Sequence, residues 1–133
     1  MTSPLPNEEP AVAWIPVSIG ELLDRLSILE LKLRYLEGEA INRLEQQRKL
    51  LLEARAGVKG TIDPSLEQRL AAVNAQLWDV ENKIRAHEQA GQFNDSFIHL
   101  ARQVYLLNDQ RHALKRQIDL SSGCPLLEDK LYG

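Results

Sequence analysis

The chain has a single cysteine among its 133 residues. It can therefore form no disulfide within itself and no zinc site built on several thiolates. That residue, Cys124, sits in Ser-Ser-Gly-Cys-Pro, a turn sequence. Aromatic residues are few, at 5%, too sparse for a basic groove with interleaved stacking rings. The histidines His87, His99 and His112 are scattered, with no pair at zinc-ligand spacing. There is no Ser-His-Asp arrangement and no glycine-rich loop to cradle phosphate. No uncharged apolar run of about 18 residues occurs, so no membrane span is expected. Glu8 and Glu9 stand near the N-terminus with no early Lys or Arg, the wrong pattern for a signal peptide. A reducing cytoplasm is the expected location. Sixteen Lys and Arg face nineteen Asp and Glu, for a net charge of -3. Nucleic acid is not expected as a partner, since no broad positive excess is present.

What remains is rich in helix formers. Apolar residues make up 44% and charged residues 26% of the chain, ordinary for a globular protein. Leucine dominates the apolar set, and Leu with Ala, Glu, Gln, Arg and Lys favours helix. The expectation is an all-α fold: long antiparallel helices in a hairpin or bundle, with a short extended N-terminal arm and a C-terminal tail. Residues 1–10 carry three prolines and read as a disordered leader. Residues 11–133 read as one domain, with helices over about 19–56, 64–89 and 95–120. Ala11 to Val17 is short and apolar, and Pro16 bars a central strand position there. It reads as an extended arm or an edge strand, with Trp14 as a packing anchor.

Ser18-Ile19-Gly20-Glu21 fits a capping box, in which Ser18 accepts from the third helical N–H and Glu21 reaches back. Leu22, Leu26, Leu29, Leu33, Leu36 and Ala40 follow at spacings of 4, 3, 4, 3 and 4, the coiled-coil period. Ile28, Leu31 and Tyr35 make a second apolar side, so this helix should be sandwiched between neighbours. Gly38 interrupts the run. One glycine costs about 1 kcal/mol against alanine, and a single long or slightly bent helix is favoured over two joined near Gly38. Gly57 to Ile62 is the clearest break. Asp63-Pro64 then starts the next helix, Asp as cap and Pro in the first turn. A short loop, Gln89 to Asn94, leads to a last helix capped by Asn94 or Asp95 and ending before Ser121-Ser122-Gly123. The leucines and Tyr132 beyond it suggest a tail that packs back on the helices.

Polar residues fall where a plain hairpin would need only apolar ones. Asp24 lies on the second side of the first helix, beside Ile28 and Leu31, and Glu30 borders the first side. Asn74, Trp78, Glu81 and Arg85 share one flank at steps of 4, 3 and 4. Asn108 projects into the wide apolar face of the last helix, with Arg111 and Lys115 bordering it. An ionised carboxylate among apolar neighbours needs a partner. The inward set Glu81, Arg85, Asn108 and Arg111 is expected to meet Asp24 or Glu30. Asp79 and Asp109 point outward.

Val17-Ser18-Ile19-Gly20-Glu21-Leu22-Leu23-Asp24 with Leu29-Glu30-Leu31-Lys32, then Leu77-Trp78-Asp79-Val80-Glu81, then Phe97 to Tyr105 and Asn108-Asp109-Gln110-Arg111 with Lys115-Arg116, form a long ordered motif set. On these the chain resembles a family of short, mainly bacterial proteins catalogued only as a domain of unknown function. The resemblance spans roughly Val17 to Tyr132. It departs at Leu131, where the family tail has serine. It implies an all-helical single domain and no established activity.

Three functional readings follow. The first is an interaction or assembly module, a homodimer or one with another protein partner. In it Asp24, Glu30, Trp78, Glu81, Arg85, Asn108 and Arg111 supply or cover a buried polar network that fixes helix register. It needs no cofactor and no metal. The second is a Mg²⁺-dependent, all-helical nucleotide phosphohydrolase. There Glu21 and Asp24 would act with Asp79, Glu81 and Asp109 on the metal, and Arg85, Arg111 and Lys115 on phosphates. Helical spacing puts Asp79 and Glu81 about 160° apart, which weighs against it. The third is a non-catalytic module for a small anionic ligand, stacking on Trp78 or Tyr105 and gripped by Arg111.

Overall fold

The first helix begins where Ser18 offers its side chain: Oγ accepts from the Glu21 N–H at 3.1 Å. In the computed structural model, which describes residues 10–127, the chain forms α1 (Ile19–Tyr35), α2 (Ala40–Ala56), α3 (Pro64–Ala90) and α4 (Asp95–Ser122). No strand forms among the described residues. The residues expected as a leader, up to 9, and the tail from 128 lie outside the described residues. The caps of α3 and α4 act as their sequences dictate. Asp63 accepts from the Ser65 N–H at 2.9 Å ahead of Pro64. Asn94 accepts from the Phe97 N–H at 3.1 Å. Gly91 and Gly123 end α3 and α4 in the left-handed region, at φ of 66° and 75°, where glycine carries no Cβ penalty.

The long first helix expected over 19–56 is two helices. Leu36 turns extended at the C-cap of α1, and Gly38 takes φ +85°. A left-handed residue cannot continue a right-handed helix, so the chain reverses and α2 runs back along α1. The result is a helix surrounded by the other three. α1 packs against α2, α3 and α4, whereas the backbone of α2 lies close to α1 alone. α3 and α4 form an antiparallel hairpin on the other side. With neighbours on several sides, α1 buries residues of both its apolar stripes, Leu22, Leu26 and Leu29 of one and Leu31 of the other. The core joins Leu22, Leu23 and Leu26 of α1 to Leu70 and Leu77 of α3 and to Leu114 and Ile118 of α4. Each such buried side chain contributes about 2 kcal/mol.

Gly20 lets α1 and α4 touch. A Cβ there would stand 2.5 Å from the Lys115 carbonyl oxygen and 2.9 Å from Asp119 Oδ1. The connection from α2 to α3 closes the same end, since a Cβ on Gly60 would meet the Ser122 carbonyl at 2.9 Å. α2 is further tied to α3 by a two-point ion pair between Arg55 and Glu67. The arm over 12–17 forms no helix or strand, and Trp14 is exposed in it rather than anchoring the core.

Candidate functional site

Close contact between α1 and α4 puts the second side of α1 against a row of charged residues one turn apart on α4: Arg111, Lys115 and Asp119. Asp24 occupies the centre and is only 1% exposed. Arg111 grips its carboxylate at two points, Nε to Oδ1 at 2.8 Å and Nη2 to Oδ2. From α3, Asn74 Nδ2 donates to Asp24 Oδ1 at 2.8 Å and to Ser27 Oγ at 2.6 Å. Lys115 Nζ stands 3.8 Å from Asp24 Oδ2 and donates to Glu21 Oε2 at 2.6 Å. Glu21 also accepts from Arg25 Nε at 2.8 Å. At the end of the row, Asp119 is fully buried and its Oδ1 accepts from the Gly20 N–H at 2.6 Å. This places a carboxylate at the positive end of α1, where first-turn N–H groups lack helical partners. Its Oδ2 has no hydrogen-bond partner among the described residues.

The charges decide each other's state. Burial pushes the Asp24 carboxyl up, but the hydrogen bonds from Arg111 and Asn74 and the charges of Arg111 and Lys115 outweigh it and hold the group below its usual range. Burial likewise raises Glu21, and Lys115 and Arg25 more than compensate, leaving it lowered. Both groups are ionised near neutrality, unlike a carboxyl poised as a general acid.

The sequence-derived candidates separate into two groups. Asp24 and Arg111 meet directly, and Asn108 Oδ1 lies at their edge, 3.5 Å from Arg111 Nη1. Glu30 is exposed and pairs with Arg48 of α2 at 2.7 Å instead. Glu81 and Arg85 are exposed on α3 and do not enter the network. They share a flank with Asn74 on a helical wheel, but they lie two and three turns farther along α3, past the end of the polar contact with α1. Trp78, half-buried, stacks on Tyr35 with centroids 5.7 Å apart and planes at 18°. Members not anticipated for the network are Glu21, Ser27, Asn74, Lys115 and Asp119. Its place in the sequence gives Glu21 to the cap, yet its carboxylate serves Lys115 and Arg25. The usable signal was the i, i+4, i+8 row of charges on the apolar face of α4.

Asp79 pairs with Lys83 on the surface, and Asp79, Glu81 and Asp109 are all exposed. Among the described residues no three His, Cys, Asp or Glu side chains are grouped to hold a metal ion. Glu21 and Asp24 are engaged by Lys115 and Arg111, the cations the phosphohydrolase reading needs for phosphate. No helix among the described residues is long and apolar enough to cross a membrane.

Fold and site together define an all-α bundle whose central helix is joined to its neighbours by a buried ion-pair and amide network. The chain belongs to a family of unknown function, DUF6165, whose model matches residues 14–133. No curated protein matches it, and no solved structure does.

Proposed function

We propose that the protein is a helical interaction and assembly module of the cytoplasm that works as a homodimer, with the Asp24 network holding its helices in one register. The observation that carries this is the position of α2. That helix lies close to α1, reaches α3 through the Arg55–Glu67 ion pair, and buries only Leu44. Leu50 and Leu52 on its flanks, and Tyr35 and Leu36 before it, remain exposed. A helix of this length draws most of its stability from tertiary packing, and α2 has little within the chain. A second copy laid against the α1–α2 pair supplies the missing neighbours in the manner of a coiled-coil bundle. The bonding of Asp24 supports an architectural role for the polar cluster, since a carboxylate that is 1% exposed and holds three hydrogen bonds from Arg111 and Asn74 offers little to a substrate. Light scattering on the full chain at micromolar concentration tests the reading. The expected mass is twice 15.1 kDa, and a monomer mass overturns it.

A further inference from the structure

The segment before α1 is unlike the rest of the surface. Over residues 12–17 the backbone makes no backbone hydrogen bond among the described residues. Its large side chains face solvent: Val12 is 50%, Trp14 52% and Ile15 66% exposed. Consecutive apolar exposure of this kind marks an interaction site rather than ordinary surface. The same molecule carries a groove of about 310 Å³ between α1 and α2. Ile28, Leu29, Leu50 and Leu51 give it an apolar lining, and Arg25 and Lys32 give it a basic rim.

We infer that the N-terminal arm of one copy, Val12–Ile15, seats in the α1–α2 groove of a second copy, and that the exchange is mutual about a two-fold axis. The inference rests on the dimer reading above and names its interface. Three observations select this occupant. The arm is not seated in its own chain's groove, because Val12, Trp14 and Ile15 are exposed while Val17 anchors the arm's base on the chain's own core. Its charge is complementary, since Glu8 and Glu9 precede the apolar stretch in the sequence and the groove's rim carries Lys32 beside the Glu21-paired Arg25. Its area is sufficient. The exposed parts of Val12, Trp14 and Ile15 come to roughly 350 Å² per copy, so two arms and the surfaces they cover bury about 1,400 Å², within the range of stable interfaces. Mutual exchange satisfies two-fold symmetry, since the same arm and groove occur on both copies. It also gives Leu50 the cover that α2 lacks within the chain.

The test uses the full chain. Trp14→Asp leaves every helix intact and should raise the dimer dissociation constant roughly thirtyfold or more, the loss expected of an aromatic hot spot, with helicity by circular dichroism unchanged. In a Cys124→Ser background, chains carrying Ile15→Cys mixed with chains carrying Leu50→Cys should form a disulfide between chains under mild oxidation. A wild-type dimer that keeps its affinity with Trp14→Asp, or that gives no mixed disulfide, overturns the arm exchange and leaves the dimer standing. A monomeric internal disulfide in a chain carrying both cysteines overturns it by showing the arm seated on its own groove. A wild-type monomer overturns the dimer and the exchange together.

Discussion

Asp24 of α1 and Arg111 of α4 stand 87 positions apart in the chain and meet in a two-point ion pair, with the aspartate all but sealed from water. The pair fixes which turn of α4 faces which turn of α1. A slip of one turn towards the start of α4 would set Asp24 against Leu107 and leave a buried charge without a cation, and a slip the other way would take Lys115 from Glu21.

Arg111→Ala therefore removes the main partner of a buried carboxylate. Breaking such a pair from one side costs about 3–5 kcal/mol, and urea denaturation at fixed protein concentration should show a loss of that order. Asn108→Ala, at the edge of the pair, should cost under about 1 kcal/mol. Equal losses at the two positions would mean that Arg111 is not the principal partner.

The network should also set the acid limb of stability. Asp24 and Glu21 titrate below their usual values of 3.8 and 4.5 in the folded state, so in acid the unfolded chain takes up protons first. Their contribution is complete above the usual values and is lost as pH falls through 4.5 and 3.8 towards the lower folded values. Melting temperatures from pH 6 to 3 should fall across this window. Asp24→Asn, less stable at neutrality, should show a shallower fall, and an unchanged slope would remove Asp24 from the account.

Gly20→Ala tests the contact between α1 and α4. The added methyl meets backbone at 2.5 Å, which a rotamer change cannot relieve, and overpacking of this kind costs about 1–3 kcal/mol. Gly38→Ala has open space around it, but φ +85° makes the left-handed backbone cost about 1–2 kcal/mol. A gain in stability at Gly38 would mean that α1 and α2 prefer to run on as one helix.

Glu81→Ala and Arg85→Ala should each change stability by less than about 0.5 kcal/mol, as exposed positions do. A large loss at either would place them in the network after all.

Local chemistry made much of the fold legible. Ser18, Asp63-Pro64, Asn94, Gly91 and Gly123 mark helix ends because each acts within a few residues of itself. The double stripe on α1 also foretold neighbours on two sides. The break at Gly38 is a reversal that sequence prices only as a cost, because a propensity scale rates glycine inside a helix and says nothing about a φ above zero. The site was legible in its centre, Asp24 with Arg111, and not at its margins. A helical wheel assigns direction but not depth along the axis, so Glu81 and Arg85 seemed to face α1 where α1 has already passed. Lys115 and Asp119 were missed for another reason. Lysine and aspartate are surface residues unless paired, and their partners lie 94 and 99 positions away.

The most direct measurement of the central claim, that Asp24 and Arg111 lock the helices together, is a double-mutant cycle between Asp24→Asn and Arg111→Ala, followed by urea denaturation at one protein concentration. Direct contact predicts a coupling of about 1–3 kcal/mol, with the double variant losing less than the sum of the single losses. Additivity within about 0.5 kcal/mol would contradict the account, because it would mean that the two residues stabilise the bundle independently.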